Sequence, residues 1–176
     1  MKKGISLIVL IVTIIVIIIL AAAVILTLNK NNPIDSSRIA QLTDNRSSIN
    51  SGLQLYYGKK MAEYQGILSA KEIFSGVTDK KDPKDNTTAI TLTSFITGTY
   101  AAATVDYPLN TTAVENELGI KVPTMSGGTW HIDVSSGLVS LVYTDYANMP
   151  AWMFSGDTKS EANLDSTLKE FVKTSN

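Results

Sequence analysis

The chain contains no cysteine and only one histidine in 176 residues. Without cysteine there are no disulfides, no thiol catalysis, no thiolate zinc site and no lipoprotein anchor of the cysteine type. A domain of this composition placed outside a cell must be held by packing alone, or by its neighbours. A basic surplus is lacking as well. Fifteen Lys and Arg stand against 16 Asp and Glu, and with Lys2 and Lys3 set aside the remainder is mildly acidic. Nucleic acid is therefore not expected as a partner, because phosphate binding needs a basic patch. Lys80, Lys81 and Lys84 cluster, but Asp79, Asp82 and Asp85 interleave with them, which reads as a solvated loop.

One stretch has no charge at all. From Ile5 to Leu28 the chain is almost entirely Ile, Val, Leu and Ala. A membrane-spanning helix needs about 20 apolar residues, and at about 1.5 Å per residue this stretch is long enough. Its many Ile and Val side chains favour strand in water. In lipid the backbone must bond internally, so a lone segment is expected to be helical. Ser6, Thr13 and Thr27 are tolerated because their hydroxyls can bond back to helix carbonyls. Lys2 and Lys3 precede the run and only Lys30 follows closely, which puts the N-terminus in the cytoplasm and residues 29–176 outside. A cleaved secretory signal competes with a permanent anchor: the basic start, the apolar run and the small residues Ala21, Ala22 and Ala23 would serve as its parts.

The residues "KKGISLI" resemble the processing site of type IV pilins and pseudopilins. In that family a short basic leader ends in glycine, a dedicated peptidase cuts after it on the cytoplasmic side, and the new N-terminal residue is methylated. The resemblance implies a cut between Gly4 and Ile5. "ISLIVLIVTIIVIIILAAAVI" looks like the family's assembly helix, with Ile5, Ser6, Leu7, Ile8 and Val9 at its start and Ala21 to Ala23 further on. The likeness covers about residues 2–28 and extends loosely to the helix after them. Most members carry a glutamate at the fifth residue after the cut, where this chain has Val9. An apolar residue there resembles a variant common in Gram-positive bacteria. A carboxylate in lipid is costly unless paired, so Val9 eases insertion; the resemblance implies that it also removes one assembly contact.

Beyond the run, Pro33 predicts a kink or short break near residues 30–33, or the first turn of a new helix. Ile39, Leu42, Ile49, Leu53 and Tyr56, with Tyr57 and Met61 less regularly, then follow helical spacing. An amphipathic helix is expected to about residue 64, stopped by Gly66, with its apolar stripe on a small sheet. The expected organisation is a leader at 1–4, a transmembrane assembly helix at 5–28, an amphipathic stalk at 29–66 and a globular head at 67–176. The expected fold class is α+β: a long N-terminal helix, half membrane-spanning and half amphipathic, packed on a small antiparallel sheet with short helices.

Within the head, "SAKE" (Ser69–Glu72) spells a capping box and predicts a helix over 70–74, ended by Gly76. "AITLTSF" (Ala89–Phe95) alternates like a strand. "TAVENELG" (Thr112–Gly119) predicts a short helix with Thr112 and Glu115 at its start. "TWHIDV" and "LVSLVY" flank Ser135-Ser136-Gly137 as a hairpin, with Trp130, Ile132 and Val134 on one face and His131 and Asp133 on the other. Leu164, Leu168 and Phe171 are expected on one face of a C-terminal helix.

Reaction chemistry is sparse. His131 could be oriented by Asp133, but no Gly-x-Ser-x-Gly supplies a nucleophile. Asp79, Asp82 and Asp85 lack the spacing of a calcium loop. "SGG" at Ser126–Gly128 lacks the lysine and setting of a phosphate loop and is expected to open the hairpin. Tyr143, Tyr146, Met149, Trp152, Met153 and Phe154 form a cluster expected to be core. The chain is read as a non-enzyme without cofactor or metal. The resemblance implies a filament subunit at the cell membrane and surface, with a prepilin peptidase, an assembly ATPase, a platform protein and other pilins as partners. The alternative is an uncleaved, single-pass anchored extracellular binding module.

Overall fold

The computed structural model describes residues 11–20 and 32–175. The chain divides into two units, Met1–Arg38 and Ile39–Asn176. In the first, residues 11–20 are helical and every one of them is exposed. No helix among the described residues is long and apolar enough to cross a membrane. The expected span, residues 5–28, falls largely outside the described residues.

Helix α1 runs from Pro33 to Glu63. Pro33 opens it, where a missing N–H costs nothing, and the Asn32 side chain accepts the Ile34 N–H at 3.1 Å. Of the other expectation there, a break near 30–33, residues 30 and 31 lie outside the described residues, and Asn32 stands just before the helix. Leu42, Ile49, Leu53 and Tyr56 are buried, and Ile39, Tyr57 and Met61 pack partly against the same core. The apolar stripe is thus where helical spacing puts it. The chain leaves α1 through Gln65 and Gly66, both left-handed, with the Gly66 N–H bonded to the Met61 carbonyl.

The second unit is α+β. A four-stranded sheet has the order β1-β2-β3-β4, formed by Asp106–Pro108, Gly128–Asp133, Leu138–Tyr143 and Val172–Thr174. The β2–β3 hairpin stands as expected. Its turn ends at Gly137, which has φ +71 and lies so close to Phe74 that a Cβ would run into the ring. The sheet is mixed rather than antiparallel: β4 runs parallel to β3. Parallel neighbours need a long crossover, and residues 144–171 provide it.

Helix α2 (Ala70–Ser75) carries the full capping box. Glu72 accepts the Ser69 N–H at 2.7 Å, and Ser69 Oγ accepts the Glu72 N–H. Lys80 donates to the same carboxylate at 2.9 Å and to the Ile67 carbonyl at 2.6 Å. Burial alone would raise the Glu72 pKa; the Lys80 ammonium, the Ser69 amide and hydroxyl and the Thr78 hydroxyl outweigh it and hold the carboxyl at about 2. The folded value lies below the unfolded one, so this stability is present above the ordinary glutamate range and is lost as pH falls through it towards about 2. Glu72→Gln is expected to cost about 1–3 kcal/mol near neutral pH and to flatten the acid limb of stability. Denaturant melts of both proteins across the acid range check this; equal acid limbs would refute it.

Three expectations are corrected. Residues 89–95 form no strand. Ile90 and Phe95 are both buried, although five residues apart they would point to opposite faces of a strand; the Phe95 N–H bonds to the Phe74 carbonyl at the end of α2, and only isolated bridges form at Ala89 and Ile96. Helix α3 (Thr111–Leu118) is capped not by Thr112 but by Asn110, whose side chain accepts the Ala113 N–H; Gly119 ends it as expected. No C-terminal α-helix occurs among the described residues. Leu164, Leu168 and Phe171 are buried, but Leu168 opens a 3₁₀ turn at Leu168–Glu170 that Phe171 ends, and Leu164 ends another at Glu161–Asn163. Two competitors take the helix's backbone bonds. Residues 153–155 pair with 163–165, and the Asp165 carboxylate accepts the Thr167 N–H.

Candidate functional site

The residues expected to carry processing and assembly, Gly4, Ile5, Ser6, Leu7, Ile8, Val9, Ala21, Ala22 and Ala23, lie outside the described residues. Between them, residues 11–20 expose a helical surface of Ile, Val and Leu, from 47% for Val16 to 64% for Ile17. Ten consecutive exposed residues, nine of them large and apolar, do not suit water.

A groove lies on the sheet of the head. Asp106, His131 and Asp133 alternate with buried Tyr107, Trp130 and Ile132, so they share the face of the sheet turned away from the core. A cavity of about 350 Å³ opens there, lined by Arg46, Asp106, Asp133, Ser140, Phe171 and Lys173 together with apolar Val105 and Leu138. Most of its charged groups are already engaged. His131 Nδ1 lies 3.0 Å from Asp106 Oδ2 on the neighbouring strand. The Arg46 guanidinium sits 4.6 Å from the Phe171 ring centroid and 3.8 Å from Glu170. Asp133 does not orient His131, contrary to expectation: its Oδ1 accepts the Ser135 N–H and Oγ–H, with the Ser136 N–H at 3.3 Å. Burial opposes ionisation of that carboxyl, but these three donors lower its pKa. The turn takes the acid that the alternation pairs with the histidine.

The other candidates are structural. No group of three metal-ligating side chains occurs among the described residues. Asp85 accepts the Thr88 hydroxyl and the Thr87 and Thr88 N–H groups, which bring it to about 2. It closes its own loop. Ser126–Gly128 leads into β2. Tyr143, Met149 and Met153 are core, with Tyr146, Trp152 and Phe154 packed on them.

One core group is anomalous. The Tyr143 ring is 1% exposed, and its hydroxyl is buried with no hydrogen-bond partner. Burial pushes the phenol up to about 12. An unpaired buried hydroxyl costs about 1–3 kcal/mol. Tyr143→Phe removes it and keeps the ring, and is expected to raise stability by about 1 kcal/mol. A chemical melt decides; a loss of that size would show the hydroxyl holds a bound water.

A set of polar residues escapes the sequence reading. Arg46, Asn50 and Gln54 stand at i, i+4 and i+8 on the flank of the α1 stripe. Arg46 Nε donates to the Val139 carbonyl at 3.2 Å, Asn50 Oδ1 accepts the Val139 N–H at 2.9 Å, and Gln54 donates to the Ser136 carbonyl at 2.7 Å. The four-residue repeat of long polar side chains is the signal for this ladder.

Comparison with protein-family models, curated proteins and solved structures finds no match to this chain.

Proposed function

We propose that the chain is a structural subunit of a type IV pilus or pseudopilus-like filament, cut after Gly4 and assembled through its N-terminal apolar run. The observation that carries this reading is the compound N-terminal pattern: a basic leader ending in glycine, then Ile5–Leu28 without a charge. Two features support it. Residues 11–20 form a helix with all side chains exposed, and a 31-residue helix, α1, buries its apolar stripe in a cysteine-free α+β head. In this reading the chain inserts with its N-terminus in the cytoplasm. Lipid contacts of the apolar run are then replaced by packing against like helices, and small residues at Ala21–Ala23 allow close approach. Head-to-tail contacts that do not close generate a filament. A prepilin peptidase, a platform protein, an assembly ATPase and other pilins are the partners.

A second reading rests on the groove: an uncleaved membrane-anchored module that displays its head to a ligand. N-terminal sequencing of the mature protein separates the readings. Ile5 is expected. Met1 would favour the anchored module, and Val24 a secretory signal.

A further inference from the structure

The inner edge of β3 has two occupants. Leu141 and Tyr143 bond to β4, with the Leu141 N–H donating to the Phe171 carbonyl and the Ser175 N–H to that of Tyr143. One step earlier, Val139 turns its N–H and C=O the same way, but β4 does not reach it. The turn Leu168–Glu170 carries the chain away. In place of a strand, Asn50 accepts the N–H and Arg46 donates to the carbonyl. The two side chains reproduce the donor and acceptor of a missing strand residue. Arg46 is held in place by Phe171 and Glu170.

An open strand edge is a template for pairing with another chain. The outer edge of β1 is blunted in another way: Pro108 has no N–H to offer, and its carbonyl accepts the Thr97 N–H. β4 has three residues with exposed Lys173 at the centre. The Val139 edge has neither defence of its own; the exposed Leu138 beside it adds apolar surface.

We infer that Arg46 and Asn50 plug the β3 edge and keep the head from pairing edge to edge with a second copy of this chain. The occupant kept out is a second β3, because two copies of the same edge are self-complementary about a two-fold axis. The device works whether the chain builds filaments or stands alone.

The test uses the full chain, its apolar run shielded by enough detergent that each micelle holds one copy. Size is measured by light scattering as concentration rises. Wild type is expected to stay single. Arg46→Met with Asn50→Leu, which keep the stems and remove donor and acceptor, are expected to pair with increasing concentration. Asn50→Asp, which keeps the acceptor, is expected to stay single. Val114→Ala lowers stability from α3, away from the edge, and is expected to stay single too. A folded double variant that remains single overturns the inference, and so does pairing by Val114→Ala. Wild-type hydrogen exchange gives a check that needs no variant. The Val139 amide is expected to be as protected as that of Leu141, and rapid exchange there would mean the plug does not hold.

Discussion

Trp130→Ala is expected to cost on the order of 3–5 kcal/mol, the range for deleting a buried aromatic side chain. The indole is 4% exposed and stands on β2 between two kinds of neighbour. Its ring is nearly parallel to that of Phe171, with centroids 6.5 Å apart and planes 6° apart. Its Nε1 donates to the Pro123 carbonyl at 2.9 Å. Truncation removes apolar area, leaves a cavity against Phe171 and strips the partner from a carbonyl that anchors the strand's approach. Phe171 in turn carries Arg46, so the damage reaches the middle of α1, where it contacts β3. Trp130→Phe restores most of the ring but not the donor, so its smaller cost measures the bond to Pro123. Residues 29–176 should fold without the apolar run, because Ile39–Asn176 forms a compact unit around its own core. A denaturant melt of that fragment checks both variants. A loss below about 1 kcal/mol for Trp130→Ala would place the indole outside the working core.

The parts of the fold legible in the sequence are those decided by local chemistry. Ser69 with Glu72 needs only four residues to form a capping box. Gly66, Gly76 and Gly119 end their helices because glycine accepts a left-handed backbone at little cost. Period-3.6 and period-2 patterns placed Leu42, Ile49, Leu53, Trp130 and Ile132 in the core. The failures share a different cause. Leu164, Leu168 and Phe171 are buried as their spacing implies, yet burial does not specify which backbone partner wins; residues 153–155 took the bonds of 163–165, and turns stand in place of the helix. Ile90 and Leu92 alternate but Phe95 falls out of phase with them and is buried all the same; a strand needs an edge to join, and the Phe74 carbonyl was the acceptor at hand. The direction of β4 depends on the path of residues 144–171, which no local pattern encodes. His131 found Asp106, 25 positions away, because Asp133 was taken by its own turn. Local periodicity reports which side chains are buried; long-range competition for hydrogen bonds decides the form in which they are buried.

Gly4→Leu is expected to abolish release from the membrane, the largest functional effect of any substitution considered. The proposed peptidase cut lies between Gly4 and Ile5, the one bond with Lys2 and Lys3 behind it and the uncharged run ahead. Leucine at that position leaves the apolar length and the orienting lysines unchanged, so insertion proceeds and only the cut fails. Ala22→Leu acts later. In a bundle of packed helices a small residue lets neighbouring backbones approach, and a leucine holds them apart. A lone anchor faces lipid at the same position, and lipid is as apolar as leucine, so it accepts the change without loss. The two variants thus separate three stages: insertion, cutting and packing. Wild type is expected in the fraction of surface filaments removed by shearing. Ala22→Leu is expected to be cut after Gly4 as usual but to be depleted from the sheared fraction and retained in the membrane. Gly4→Leu is expected wholly in the membrane with Met1 or the intact leader at its end. The measurement is the division of each protein between sheared and membrane fractions, with the N-terminus of each sequenced. If wild type stays out of the sheared fraction when the assembly ATPase is present, the chain is not a filament subunit, and the anchored module with its groove takes that place.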